Sequence, residues 1–171
     1  MRGFRAVRVM LASTHAAMTA TYADLFDDAG LQGAFRRLDA LTPATQPQWG
    51  SMNVAAMLAH LNVAYEMLYE TKHKRPNALL RFLLRTFLKD KVVGPAPYAR
   101  NSPTAPQFKI ADSRDFAVER DRLMAYMRRM YGEGRAQFEG RESASFGALT
   151  ASEWNVMFSK HLDHHLRQFG A

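Results

Sequence analysis

The chain has no cysteine among its 171 residues. That excludes disulfides, cysteine-based zinc sites and thiol nucleophiles. A metal would have to be held by histidine, aspartate or glutamate, and a reactive thiol would have to arrive with a bound molecule. No apolar run approaches the roughly 20 residues that span a bilayer. There is no internal repeat, no low-complexity tract and no convincing strand-like alternation. Acidic residues are the minority charge, 16 against 23 Lys and Arg, for a formal net charge of +7. That excess permits attraction to nucleic acid, anionic lipid or anionic small molecules, and by itself selects none of them.

The length fits one domain with a real core. The opening MRGFRAVRVMLASTHAAM starts positive, but its apolar stretch VMLA is too short for an export signal. Residues 1–20 are therefore expected to be a disordered leader, or an over-called start with Met18 as initiator. Residues 21–171 form the domain, and a cytoplasmic location is expected.

Apolar spacing is helical nearly throughout. From about Asp27 to Leu41, the residues Leu31, Phe35, Leu38 and Leu41 share a face, and Thr42-Pro43 stops the helix. Asn53 is placed to cap a second helix that runs to about Glu70. PNALLRFLLRTFLKD begins with Pro76, which suits a first turn. The connector KVVGPAPYARNSPTAPQF then carries four of the 7 prolines. Ser113 is a candidate cap for the next helix, and Gly132 stands near its end. A polar loop leads to Thr150 and Glu153, a T-x-x-E capping box, and Gly170 closes the last helix. Four or five helices with antiparallel-compatible connections predict an all-α fold, a helical bundle with an extra short helix and a long Pro-rich loop.

The last helix ends on KHLDHHLRQFGA, which holds three of the 6 histidines. Residues four apart share a helical stripe. Trp154, Met157, Phe158, His161, His165 and Phe169 form one such stripe, with two imidazoles at its centre. On the second helix, Asn53, Ala56, Met57, His60, Ala64 and Met67 form the equivalent stripe. Burial pushes imidazoles to their neutral form, which is the form a divalent metal binds. An i,i+4 pair with a third histidine from a facing helix gives three ligands and an open position, as in catalytic zinc sites. Nickel, iron or manganese accept the same donors. The alternative is a satisfied polar cluster with no metal.

Neighbouring residues carry paired readings. His164 is a part-exposed helix residue or a donor beside the site. Gln168 orients a ligand or bonds nearby backbone. Trp154 and Trp49 are packing residues, with Trp154 also placed to wall a pocket. Asn101, in the NSPTAP loop, belongs to a lid or to a plain cap on one end of the bundle. Asp163 is expected to be solvated, and His73 and His15 to lie on the surface. Arg81, Arg85 and Lys89 are expected to form the solvated edge of a bundle or dimer helix rather than a membrane-bound one. RRMYGEGR lacks a recognisable nucleic-acid motif, so nucleic acid is not an expected partner.

The segment HLDHHLRQ, residues 161–168, resembles the closing motif of the DinB/YfiT-like superfamily: His, three residues, His, then Gln three further on. QWGSMNVAAMLAHL resembles that superfamily's second helix. RLDALTPATQPQWGSM, NSPTAP and FGALTASEWNVMFSKHLDHHLRQFG resemble, more narrowly, a DinB-like branch of unknown function, over about Asp28 to Gly170. The resemblance implies a four-helix bundle with His60, His161 and His165 holding a divalent metal, usually Zn²⁺ or Ni²⁺. Characterised relatives include transferases and isomerases that use a low-molecular-weight thiol, bacillithiol or mycothiol, and dimers are frequent. The expectation is a metal-binding protein acting as a thiol-dependent S-transferase on an electrophilic small molecule. A metal-dependent hydrolase is the second enzymatic alternative. A non-catalytic helical bundle that binds a protein partner or an anionic surface is the alternative from another class.

Overall fold

In the computed structural model, which describes residues 22–171, three of the four longest helices start at a side-chain cap. The expectations on residues 1–20, Met18 and His15 lie outside the described residues. Helix α1 spans Asp28–Asp39 and buries Leu31, Ala34, Phe35 and Leu38. Helix α2 spans Val54–Tyr69, and the Asn53 side chain accepts from the Ala56 amide at 2.8 Å, the expected cap. It is buried nearly all round, including Met57 and Leu58, and is the central helix of the fold.

Helix α5, Phe116–Glu133, is capped by Asp115 rather than Ser113; Gly132 stands near its end, as expected, and Gly134 is the C-cap. Gly134 sits at φ 76°, a left-handed turn that glycine adopts freely. Helix α6, Ala151–Gln168, begins with the expected capping box: Glu153 N donates to Thr150 Oγ1, and Thr150 N to Glu153 Oε2. Among the described residues no helix is long and apolar enough to cross a membrane.

Three further features depart from the sequence reading. The PNALLRFLLRTFLKD segment is capped by Asn77, not started by Pro76, and splits at Leu88 into α3, Ala78–Phe87, and α4, Lys89–Val93. The loop before α6 contains a hairpin, β1 Arg141–Ser143 and β2 Gly147–Leu149, paired antiparallel. Three-residue strands are too short to show a period of two. Finally, α3 has no buried residue. Of its basic edge, Arg85 is exposed as expected, while Arg81 pairs with Glu142 on β1 and Lys89 with Glu153 on α6 at 2.8 Å.

The core joins α1, α2, α5 and α6 through Leu38, Leu58, Leu123, Met127, Met130 and Leu166. Tyr65 stacks on Phe158 at 4.2 Å and on Tyr126 at 5.6 Å. Each fully buried large side chain contributes about 1.5–3 kcal/mol. Two buried carboxylates pin α2 to α5. Glu66 takes Lys72, His73 at 2.6 Å and Arg122; Glu119 takes Arg114, Arg122 and the Asn62 amide. His73 is thus half-buried against Glu66, not a free surface residue.

Candidate metal centre

Helix α2 carries His60 into the interior, and one turn of α6 carries His161 and His165 to meet it. One ring nitrogen from each lies within 4.8 Å of the others. Ring centroids are 4.9 Å apart for His60–His161, 4.6 Å for His60–His165 and 5.0 Å for His161–His165. His60 and His165 are buried, and His161 is half-buried on the open side.

The hydrogen bonds fix how two of the rings present themselves. His60 Nδ1 lies 2.8 Å from the Phe108 carbonyl oxygen, and His165 Nδ1 lies 2.8 Å from Gln168 Oε1. An oxygen of that kind can only accept, so each Nδ1 carries the proton. Each Nε2 is then left with a lone pair. His60 Nε2 faces His161 Nε2 at 2.9 Å. Burial, reinforced by the neighbouring rings, holds His161 well below the ordinary histidine range and brings His165 down to about 3. His60 is lowered by burial against the opposing Phe108 bond. All three are neutral imidazoles at pH 7, the state in which they bind a metal.

Gln168 makes two hydrogen bonds. Its Oε1 accepts from His165, while its Nε2 donates to the Trp49 carbonyl at 2.7 Å. Gly50 makes this possible: it sits at φ 79°, and a Cβ there would stand 2.7 Å from Gln168 Nε2. The loop before α2 is therefore threaded onto the end of α6. His164 packs edge-on against His165 and against Trp49, and its pKa is lowered by burial.

Beside the triad on the His164 side lies a cleft of about 370 Å³, lined among others by Trp49, Tyr98, Arg100, Lys160, His164 and Arg167. None of the three triad rings lines it; Tyr98, edge-on to both His161 and His164, is one of its walls. Arg100 stands over the Trp49 ring at 4.3 Å. Trp49 is thus a cleft wall. Trp154, by contrast, is buried in the core against Phe158 and Phe138 and does not line the cleft. Asn101 is exposed, at φ 56°, in the loop near Gly50, and makes no contact with the triad rings. Asp163 is not solvated but paired with Arg37 and Arg167, both at 2.9 Å.

The connector reaches the site through residues that the sequence did not single out. Phe108 supplies its carbonyl to His60 and its ring to the wall beside His161. Lys160, buried one residue before His161, donates to the carbonyls of Lys91 at 2.9 Å, Ala96 at 3.2 Å and Gly94. Burial lowers its pKa to about 8, and three carbonyl acceptors keep it an ammonium at pH 7. It ties the end of α4 and the Pro-rich connector to α6, and so sets Tyr98 beside the triad. A lysine interrupting the buried stripes of α6 was the available signal; the partners were not.

No curated protein and no solved structure matches the chain. Residues 23–171 match the family described as Protein of unknown function (DUF1569), so the chain belongs to that family.

Proposed function

We propose that this chain is a divalent-metal protein of the DinB/YfiT-like kind, a four-helix bundle of α1, α2, α5 and α6. In this reading His60, His161 and His165 hold Zn²⁺ or Ni²⁺ in the cytoplasm. The observation that carries the reading is the pair of Nδ1 protons fixed by oxygens. Metal-ligating histidines characteristically donate their second N–H in this way. The same contacts leave two lone pairs beside a third ring in a buried site, which a merely structural cluster does not require.

A metal held there would lower the pKa of a thiol or water entering on the half-buried His161 side, supplying a nucleophile at neutral pH. The chain's own residues supply the rest. Phe108 and Tyr98 limit water around the triad. Arg100 and Arg167, with Trp49, offer a cationic and aromatic surface to a small anionic cosubstrate. Thiol-dependent transfer to an electrophilic small molecule is favoured over hydrolysis. No carboxylate joins the triad among the described residues, and Asp163 is engaged by two arginines, so hydrolysis lacks a general base.

The test is elemental analysis of untagged protein by inductively coupled plasma mass spectrometry, wild type beside His161→Ala. The expected result is close to one ion per chain in the first and almost none in the second, with equal helical circular dichroism. Wild type that stays metal-free after incubation with Zn²⁺ or Ni²⁺ and dialysis removes the reading. Effort then moves to the non-catalytic alternative, in which binding to a partner or anionic surface is salt-dependent.

A further inference from the structure

Helix α3 is built backwards for a surface helix. Leu79 is 70% exposed, Phe82 63% and Phe87 71%, with Leu80 and Leu83 adding to the same side. At about 100° per residue, Leu79, Leu80, Phe82, Leu83 and Phe87 form a continuous stripe roughly 160° wide. Arg81 and Arg85 fall on the opposite face, against Glu142 and the backbone at Gly147. Solvent thus meets the apolar face, while on the other side Arg81 is paired with the chain's own Glu142. No described residue covers the stripe.

We propose that this stripe is the interface through which two copies of the chain pair, α3 against α3. The five side chains expose on the order of 550 Å², near the top of the roughly 300–600 Å² of the largest apolar patch on an ordinary monomer. That is most of the roughly 800 Å² per partner that a stable interface buries. A two-fold axis brings the same patch onto itself. Because the stripe itself carries no charge, that pairing sets no like charges opposite one another. An anionic membrane would instead favour cations along the border of the apolar face. Here Arg81 and Lys89 are already paired with the chain's own carboxylates.

The experiment uses the full chain. Light scattering after size exclusion at micromolar concentration should give twice the 19.4 kDa chain mass. The double variant Phe82→Glu/Phe87→Glu, altered only at exposed positions, should halve that mass and keep the circular dichroism and metal content of wild type. Because the chain has no cysteine, Leu83→Cys offers a single thiol, and mild oxidation should convert most of it to a covalent dimer. A monomeric wild type overturns the proposal, as does a dimer whose mass the double variant leaves unchanged. Flotation of a monomeric wild type with phosphatidylserine vesicles reassigns the face to lipid and also overturns it. Monomeric wild type that doubles in mass only when residues 1–17 are deleted shows that the chain's own N-terminal segment occupies the stripe, with the same consequence.

Discussion

Helices α6 and α3 break the ordinary rule of burial in opposite directions. Helix α6 turns polar groups inward: Asn155, Ser159, Lys160, His165 and Gln168 are all buried. Helix α3 turns leucines and phenylalanines outward. Buried polar groups are costly unless bonded, and α6 meets that demand almost everywhere. Asn155 takes the Leu25 amide and donates to the Ala23 carbonyl, Ser159 donates to the Asn155 carbonyl, and Lys160 has its three carbonyls. His161 and His165 instead face His60 of α2, with His60 Nε2 and His161 Nε2 2.9 Å apart. On α3 the unmet demand is apolar. Each contrast bears on one proposal, an ion at the histidine cluster and a covering surface on α3.

That contrast can be broken most severely at Lys160. Lys160→Met keeps the length of the side chain but strands three carbonyls. It should lower stability by about 3 kcal/mol in urea unfolding. An unchanged midpoint would mean that the polar interior of α6 is not held by its bonds. Next in size is Gln168→Leu, which frees His165 to turn. Metal affinity should fall about 10–100-fold, read by competition with a chelating dye. Equal affinity would remove Gln168 from any role in orienting the ring.

A pH series sharpens the same comparison. The triad histidines have folded pKa values below the unfolded one, and His165 lies at about 3. Below about pH 6.5 the unfolded chain takes up protons that the fold excludes. Stability of the metal-free protein is therefore full above that pH and is lost as pH falls through it. The slope should reach up to about 1.4 kcal/mol per pH unit for each histidine. His161→Leu/His165→Leu should flatten the slope; a flat wild-type profile would contradict burial of the neutral rings. The smallest effect is expected on α3. Arg81→Ala removes one partly exposed ion pair and should change stability by less than about 1 kcal/mol.

Much of the helical skeleton was legible because its signals are local. Asn53, Thr150 and Glu153 act within one turn of where they stand, and the Leu31, Phe35, Leu38 stripe needs only the helical period. His161 and His165 were recognisable for the same reason: four residues along a helix fixes their common face. The hairpin was not legible, since three residues carry no period, and neither was the break at Leu88, where no proline or glycine marks it. The direction of α3 was left open between a bundle helix and a dimer helix. Amphipathicity tells which residues share a face, but not whether that face meets the core or the solvent.

By itself, then, the sequence determined the helices, the two stripes that carry imidazole, and the absence of any thiol with which the chain could bind metal. Those properties are set by residue type and by spacings of three and four. Only the tertiary structure decided that His60 stands opposite His161 and His165, and that Phe108 and Gln168 hold two of the rings by their Nδ1 protons. It also decided that Lys160 is spanned by the connector's carbonyls and that α3 keeps its apolar face outside. Each of these joins residues far apart in the chain, through contacts whose geometry depends on how whole helices pack, and no local pattern encodes that.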